Sequence, residues 1–212
     1  VAVGRYPYTG FRGSLRPEDK AIIHEALTAC HLDGMQERLY STLSDGEKQR
    51  VMIARALAQE TPLILLDEPT AHLDLPSRLE VTTMLRTLAR SLGKSILIST
   101  HELDLALGWA DTIWLMDRAG EITASAPEDL ILGGHIERVF GAPGLSYDQE
   151  RGEFSIRQSG GRKICLQGEG PRYIWTSRAL QRLGYEVTAS TGAYPEVVLS
   201  DEGWILVLPS GA

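Results

Sequence analysis

The run Leu63-Ile64-Leu65-Leu66, followed at once by Asp67-Glu68, constrains this chain more than any other segment. An unbroken apolar run of this length reads as a strand buried on both faces, as in a parallel sheet covered by helices. Two adjacent carboxylates are costly to bury without compensation. Placed at the end of such a strand, they are delivered to the carboxyl edge of an open α/β sheet, where ligands bind. Downstream, Pro76 to Leu92 carries Leu79, Met84, Leu85 and Leu88 as the buried side of a helix. Ser95 to Thr100 is a second strand, and it delivers His101 to the same edge.

The flanking segments extend the alternation. Pro17 to Cys30 places Ile22, Ile23, Ala26, Leu27 and Cys30 at helical spacing, with Pro17 suited to a first turn. Gly46 to Gln59 reads as a helix burying Val51, Ile53, Ala54 and Leu57. Leu103 to Ala110 is a short helix, and Thr112 to Met116 and Glu121 to Ala124 are strands around an Arg118-Ala119-Gly120 turn. Pro127 to Phe140 is mostly helical, and Gly141-Ala142-Pro143-Gly144 reads as a linker. Beyond it, Phe154 to Arg157 and Lys163 to Leu166 flank a Ser159-Gly160-Gly161 turn as a hairpin. A helix runs from about Tyr173 to Leu183, stopped by Gly184, and Val197 to Leu199 with Trp204 to Leu208 forms a second hairpin. Strands alternating with helices give an α/β core with a mostly parallel sheet. Residues 145–212 read as a small α+β appendage in which Trp175, Leu180, Leu183 and Trp204 are the expected buried anchors.

The net charge of −7 argues against a nucleic-acid binder, which carries a basic stripe. No apolar run reaches membrane-spanning length. Cys30 and Cys165 lie far apart without metal-ligand spacing and read as reduced thiols.

Ser44-Asp45-Gly46-Glu47 fits the S-x-x-E capping box, and a capped helix start is also a ready anion site. A phosphate loop, G-x-x-x-x-G-K-[ST] between a strand and a helix, is absent from the 212 residues. Gly93-Lys94-Ser95 imitates its end, but the earlier glycine would fall on Leu88, and here a helix precedes and a strand follows. Gly93 reads instead as a helix stop. Gly168-Glu169-Gly170 lacks a third glycine, since Tyr173 stands there, and reads as a loop.

In order, Leu43-Ser44-Asp45-Gly46-Glu47-Lys48-Gln49-Arg50, Leu63 to Thr70, Ala71-His72-Leu73-Asp74 and Ser99-Thr100-His101 resemble the signature motif, Walker B, D-loop and switch histidine of ATP-binding cassette (ABC) transporter ATPases. The resemblance runs from the first residue to about Phe140. It implies a P-loop NTPase-like core made of a helical signature subdomain (about 1–60) and a Walker B part (61–144), followed by the accessory module 145–212. It also implies that an N-terminal part with the phosphate loop, the Q-loop and the base-stacking aromatic precedes Val1 in the parent protein. By the same resemblance, Asp67 holds Mg²⁺ through water, Glu68 is the general base, and His101 contacts the γ-phosphate and the attacking water. Ser44 and Gly46 meet the ATP of the other subunit in a head-to-tail dimer, and Asp74 couples the two composite sites. Asp45 departs from the usual glycine, and either points away or lowers affinity. His72, His24, His31 and His135 match no family position and read as surface or packing residues.

Val3-Gly4-Arg5-Tyr6-Pro7-Tyr8 resembles the stretch after the Q-loop in importers of ferric siderophores, haem and cobalamin, near the permease contact; Arg5 could equally be a helix-end cation. The expected protein is the ATP- and Mg²⁺-dependent subunit of a bacterial metal-chelate importer. It would sit at the cytoplasmic face of the inner membrane with a second copy, transmembrane permeases and, indirectly, a substrate-binding protein. Two alternatives are a soluble ABC ATPase of translation or DNA repair, and a non-catalytic regulatory protein.

Overall fold

A computed structural model describes residues 1–10, 13–149, 152–156, 161–190, 194–200 and 203–208. The chain divides into two units, Val1–Ile113 and Trp114–Ala212.

The first unit opens with a 3-10 helix, Ala2–Tyr8, followed by α1 (Pro17–Ala29), a 3-10 turn at Tyr40–Thr42, and α2 (Asp45–Leu57). Then come β1 (Leu63–Asp67), α3 (Leu75–Leu92), β2 (Ser95–Ser99) and α4 (Leu103–Trp109). Each long helix starts where the sequence supplies a cap. The Asp19 carboxylate accepts from the Arg16 backbone N–H at 2.9 Å to open α1, and Ser44 and Glu47 exchange bonds to open α2. Asp74 caps α3 by accepting from the Ser77 N–H at 3.0 Å. Gly93 ends α3 in the left-handed region (φ 60°), so Gly93-Lys94-Ser95 is the helix stop expected of it.

The core joins Ala26, Cys30 and Leu32 to Ile53, Ala54 and Leu57 of α2, to Ile64 of β1, and to Val81, Met84, Leu85 and Leu88 of α3. Leu79, expected in this core, is exposed. It lies two residues, about 200° of helical rotation, from Val81 and so faces the opposite way.

β1 and β2 pair in parallel, with Leu63 opposite Ser95 and Asp67 opposite Ser99. β1 is not buried on both faces: Ile64 is inside, while Leu65 is 66% exposed and Leu63 is exposed too. Ile64, Leu66 and Ile96 pack on the helices, and the alternate residues, including Leu97, face outward.

The opening 3-10 helix is clamped from below by Arg5. Its buried guanidinium donates to Asp19 (2.9 Å), the Ala58 carbonyl (3.0 Å) and Glu60 (2.6 Å), and lies 4.1 Å from the Tyr8 ring centroid. Arg5 is therefore an internal clip joining three elements, and its bond to the carbonyl of Ala58, the C-cap of α2, makes it a helix-end cation as well. The backbone N–H of Arg16 and the Arg5 guanidinium hold the Asp19 carboxyl below its usual range.

In the second unit, β3 (Ile113–Met116, which begins at the boundary) pairs with β4 (Ile122–Ser125). The helical stretch expected over 127–140 is two short helices, α5 (Pro127–Leu132) and α6 (His135–Phe140), separated at Gly134 (φ 67°). β5 (Leu145–Asp148) and β6 (Glu153–Ile156) are antiparallel. β7 (Arg162–Gln167), α7 (Gly170–Arg182), β8 (Tyr185–Thr188), β9 (Glu196–Ser200) and β10 (Gly203–Val207) complete the unit. The sheet order is β10-β9-β7-β8.

The first expected hairpin is replaced. Phe154 and its neighbours turn back on β5, while β7 lies parallel to both β8 and β9. A parallel neighbour requires a crossover, and α7 supplies it between β7 and β8, a strand not anticipated from the sequence. The proposed turn residues Ser159 and Gly160, with Arg157, lie outside the described residues. The second hairpin is present as β9 and β10, with Trp204 opposite Leu199. Of the expected anchors, Leu180 packs on Ile164, Leu166 and Val197, but Trp175, Leu183 and Trp204 are exposed. The single helix covers only the centre of its sheet. Trp175 lies outward beneath the Arg178 guanidinium, 5.1 Å away, and Leu183 falls past the helix end.

Candidate functional site

The parallel register of β1 and β2 brings the ends of both strands to one edge. The Glu68 N–H donates to the Ser99 carbonyl at 3.1 Å, and the Ser99 hydroxyl lies 3.1 Å from the same N–H. That hydroxyl also donates to the Asp67 carboxylate. Glu68 adopts a left-handed backbone (φ 43°), unusual for a residue with a side chain, which turns the chain sharply just after the strand. His101 Nδ1 stands 3.1 Å from Glu68 Oε1. Asp67, Glu68 and His101 are thus one cluster, all exposed, with Ser99 tying the first two together.

A second layer fixes the loops that carry them. The Thr70 hydroxyl, buried, donates to Glu102 Oε2 at 3.1 Å, and Arg78 of α3 pairs with Glu102 Oε1 at 3.2 Å. The loop after β1 and the loop after β2 are therefore latched to each other and to α3. Ser99, Thr70, Arg78 and Glu102 were not singled out in the sequence. Ser99 could have been found by aligning the two strands from their carboxyl ends, which places it opposite Asp67.

The start of α2 forms a separate cluster with the start of α3. A Cβ added to Gly46 would meet the Ser77 Oγ at 3.2 Å and its Cβ at 3.3 Å, so the two helix starts touch where Gly46 has no side chain. Arg50 and Glu80 pair at 2.8 Å one turn further along. Within this cluster Ser44 accepts from Glu47, and the Ser44 backbone N–H, donating at 2.7 Å, holds the Glu47 carboxyl below its usual range. Hydrogen bonds from the Ser77 side chain and backbone do the same for Asp74. Asp45 lies at the first helical position, three-quarters exposed, and accepts from Lys48 Nζ at 3.0 Å. His72 sits exposed in the turn between Asp67 and Asp74, with φ 65°.

The donor set at the strand ends consists of carboxylate and hydroxyl oxygens, which suit a hard divalent cation. Among the described residues no group of three or more His, Cys, Asp or Glu could hold a metal by itself. An ion taking one carboxylate while keeping waters and phosphate oxygens, as Mg²⁺ does, fits what Asp67 offers.

Residues 6–71 match the ABC transporter family, a span containing Ser44, Gly46, Asp67 and Glu68. Residues 161–211 match the iron ABC transporter C-terminal domain. The chain belongs to the ABC transporter ATP-binding proteins. It is 36% identical over 159 residues to an uncharacterized ABC transporter ATP-binding protein of Methanocaldococcus jannaschii, covering 75% of this chain and 55% of that protein. It is 40% identical over 144 residues to the hemin import ATP-binding protein of Streptomyces coelicolor, covering 68% and 50%. A solved transporter assigned to the metal-chelate ABC type, in an inward-facing conformation, superposes with a TM-score of 0.62 at 26% identity, over 73% of this chain and 61% of that one. The chain spans about half the length of the curated relatives it matches. The fold is that of the ABC ATPase domain, and the C-terminal match gives the appendage a family of its own, which sequence patterning alone did not supply.

Proposed function

We propose that this chain forms the signature, Walker B and switch-histidine portion of the ATP-hydrolysing subunit of an importer for iron-siderophore, haem or cobalamin-type chelates. The observation that carries this reading is the cluster of Asp67, Glu68 and His101 at the ends of two parallel strands, on a chain whose relatives are named as importers of such chelates. In this reading Asp67 holds Mg²⁺ through water. The bound ion supplies charge neutralisation between the phosphates. Glu68 accepts the proton of the attacking water, and His101, steadied by Glu68 at 3.1 Å, donates toward the γ-phosphate. Ser44 and Gly46 present the α2 start to ATP held by a second copy, and Asp74 couples the two sites. Transmembrane permeases at the cytoplasmic face of the membrane would receive the resulting motion. No helix among the described residues is long and apolar enough to cross a membrane itself. Residues 145–212 act as an accessory module that either tunes hydrolysis or caps the ATPase core.

The test is MgATP hydrolysis by the complete encoded protein. Glu68→Gln keeps the shape and the contact to His101 but cannot take a proton. Turnover should fall about 10²–10⁴-fold with ATP binding retained. Near wild-type turnover would remove Glu68 from the mechanism. Without a phosphate loop in its sequence, the 212-residue chain alone should bind MgATP weakly; micromolar binding in titration calorimetry would contradict this.

A further inference from the structure

His101 is lightly held for a residue at the strand ends. Its side chain is 70% exposed, and among the described residues its one polar contact is the 3.1 Å approach of Nδ1 to Glu68 Oε1. A ring held so lightly takes its direction from its backbone. That backbone belongs to a short loop, residues 100–102, between the end of β2 at Ser99 and the start of α4 at Leu103. Within the loop the Glu102 N–H donates to the Thr100 hydroxyl at 3.0 Å, a local turn that closes the loop on itself. The Glu102 side chain attaches the loop to the rest of the unit. It faces inward, 14% exposed, where its neighbour His101 faces out. It stands at the N-cap position of α4 yet caps no N–H of that helix. Its two oxygens are committed elsewhere. Oε2 accepts from the buried Thr70 hydroxyl at 3.1 Å, two residues beyond Glu68. Oε1 pairs with Arg78 at 3.2 Å, and the same guanidinium donates to the Leu73 carbonyl, beside Asp74, at 3.3 Å.

We propose that Glu102 is a positioning residue for hydrolysis: gripped by Thr70 and Arg78, it fixes the loop behind His101 and so keeps the imidazole beside Glu68. The proposal rests on the hydrolytic reading of Asp67, Glu68 and His101 given above. Because both Glu102 oxygens are engaged within the chain, the residue acts through His101 and not on the nucleotide. The rate is sensitive to such support, since a group misplaced by about 1 Å costs on the order of 10²-fold. Catalytic groups keep their geometry only when a supporting layer locks it. The bridge needs two hydrogen-bonding atoms at a fixed span rather than a charge. An amide can accept from Arg78 through its oxygen and donate through its nitrogen to the Thr70 hydroxyl, which takes either role. Glutamine therefore preserves the bridge, and alanine removes it.

MgATP hydrolysis by the complete encoded protein gives the first readout. Glu102→Ala should lower kcat about 10²-fold with KM moved far less, because the loss falls on the transition state. Glu102→Gln should recover at least half of that loss on a logarithmic scale. Thr70→Val removes one donor and keeps the side chain's shape, so it should lower kcat in the wild type and add nothing to Glu102→Ala. The second readout needs no nucleotide. With isotope-labelled histidines, and the His101 ring signal assigned by its loss in His101→Ala, Glu68→Gln should shift that signal in otherwise wild-type protein. On the Glu102→Ala background, where the imidazole has left Glu68, the same change should leave the signal in place. Folded Glu102→Ala protein with near wild-type kcat, a fall in Tm alone, or glutamine as damaging as alanine overturns the proposal. So does a His101 signal that answers to Glu68 equally with and without Glu102. If Glu102→Ala fails to fold, Thr70→Val carries the test, and an unchanged kcat there overturns the proposal. Wild-type protein that hydrolyses no ATP refutes the hydrolytic reading instead, and the His101 signal alone then decides whether Glu102 positions the ring.

Discussion

Gly4→Ala tests how tightly the opening 3-10 helix is seated. An added Cβ would lie 2.3 Å from the Arg55 carbonyl oxygen and 3.4 Å from the Ala58 Cβ. The first of these is backbone, so no rotamer change relieves it. The contact must open by about 0.7 Å to reach even 3.0 Å, below which Cβ contacts are essentially never seen. Overpacking of this kind costs about 1–3 kcal/mol. The displacement is felt at once by the next residue, Arg5, whose bonds to Asp19 and the Ala58 carbonyl, at 2.9 and 3.0 Å, stretch with it. For a unit of about one hundred residues this corresponds to a fall in Tm of roughly 5–15 °C. Thermal unfolding followed by circular dichroism reads it directly. Val3→Ala, at an exposed neighbour, serves as the control and should move stability by under about 0.5 kcal/mol. A Gly4→Ala chain that melts within about 4 °C of wild type, the smallest shift that 1 kcal/mol produces in a unit of this size, would show that the helix slides freely on α2 and that the Arg5 clip does not register its position.

Two further outcomes follow from particular side chains. Asp45→Gly should leave ATP-driven association of the complete protein unchanged at low and high salt, since Asp45 is three-quarters exposed and engaged by Lys48; tighter association confined to low salt would place its carboxylate toward the nucleotide. Burial pushes the Cys30 thiol up to about 12, so the folded chain favours the protonated form: its contribution to stability is whole below the unfolded thiol's pKa near 8.5 and is lost as pH rises toward 12. Titration with a thiol reagent at pH 8 should therefore find Cys30 unreactive until the chain unfolds, and rapid reaction in the native state would contradict its burial.

What the sequence disclosed and what it withheld divide along the range of the interactions concerned. One helix start was legible because capping is local: Ser44 and Glu47 are three residues apart, whereas the cap that Asp74 gives α3 at Ser77 was not anticipated. The cluster of Asp67, Glu68 and His101 was legible because each stands at the carboxyl end of an apolar strand, and parallel pairing alone brings such ends together. Ser99 was not, since its role depends on the register that sets it opposite Asp67. The partner of β7 was hidden for the same reason. Adjacent apolar runs suggest a hairpin, but the choice between a hairpin and a crossover is made by whether α7 can cover the sheet. Leu65 and Trp204 were misjudged because an apolar residue is buried only when something lies over it, and alternation along a strand does not reveal which face is covered.

The two clusters also meet through one short stretch of α3. Ser77, in the first turn of α3, touches the α2 start at Gly46, and Asp74 caps the same turn. The next residue, Arg78, reaches the Leu73 carbonyl at 3.3 Å and the Glu102 carboxylate at 3.2 Å. Glu102 follows His101 directly and also accepts from Thr70, just beyond Asp67 and Glu68. Packed side chains shift as units rather than deforming continuously. Ser77 and Arg78 are adjacent, so the turn that meets the α2 start is also the turn tied through Glu102 to the loop that carries His101. The turn that carries Asp74, Ser77 and Arg78 is thus joined within one chain to the loops that carry Asp67, Glu68 and His101, through the contacts of Arg78 and Thr70 with Glu102.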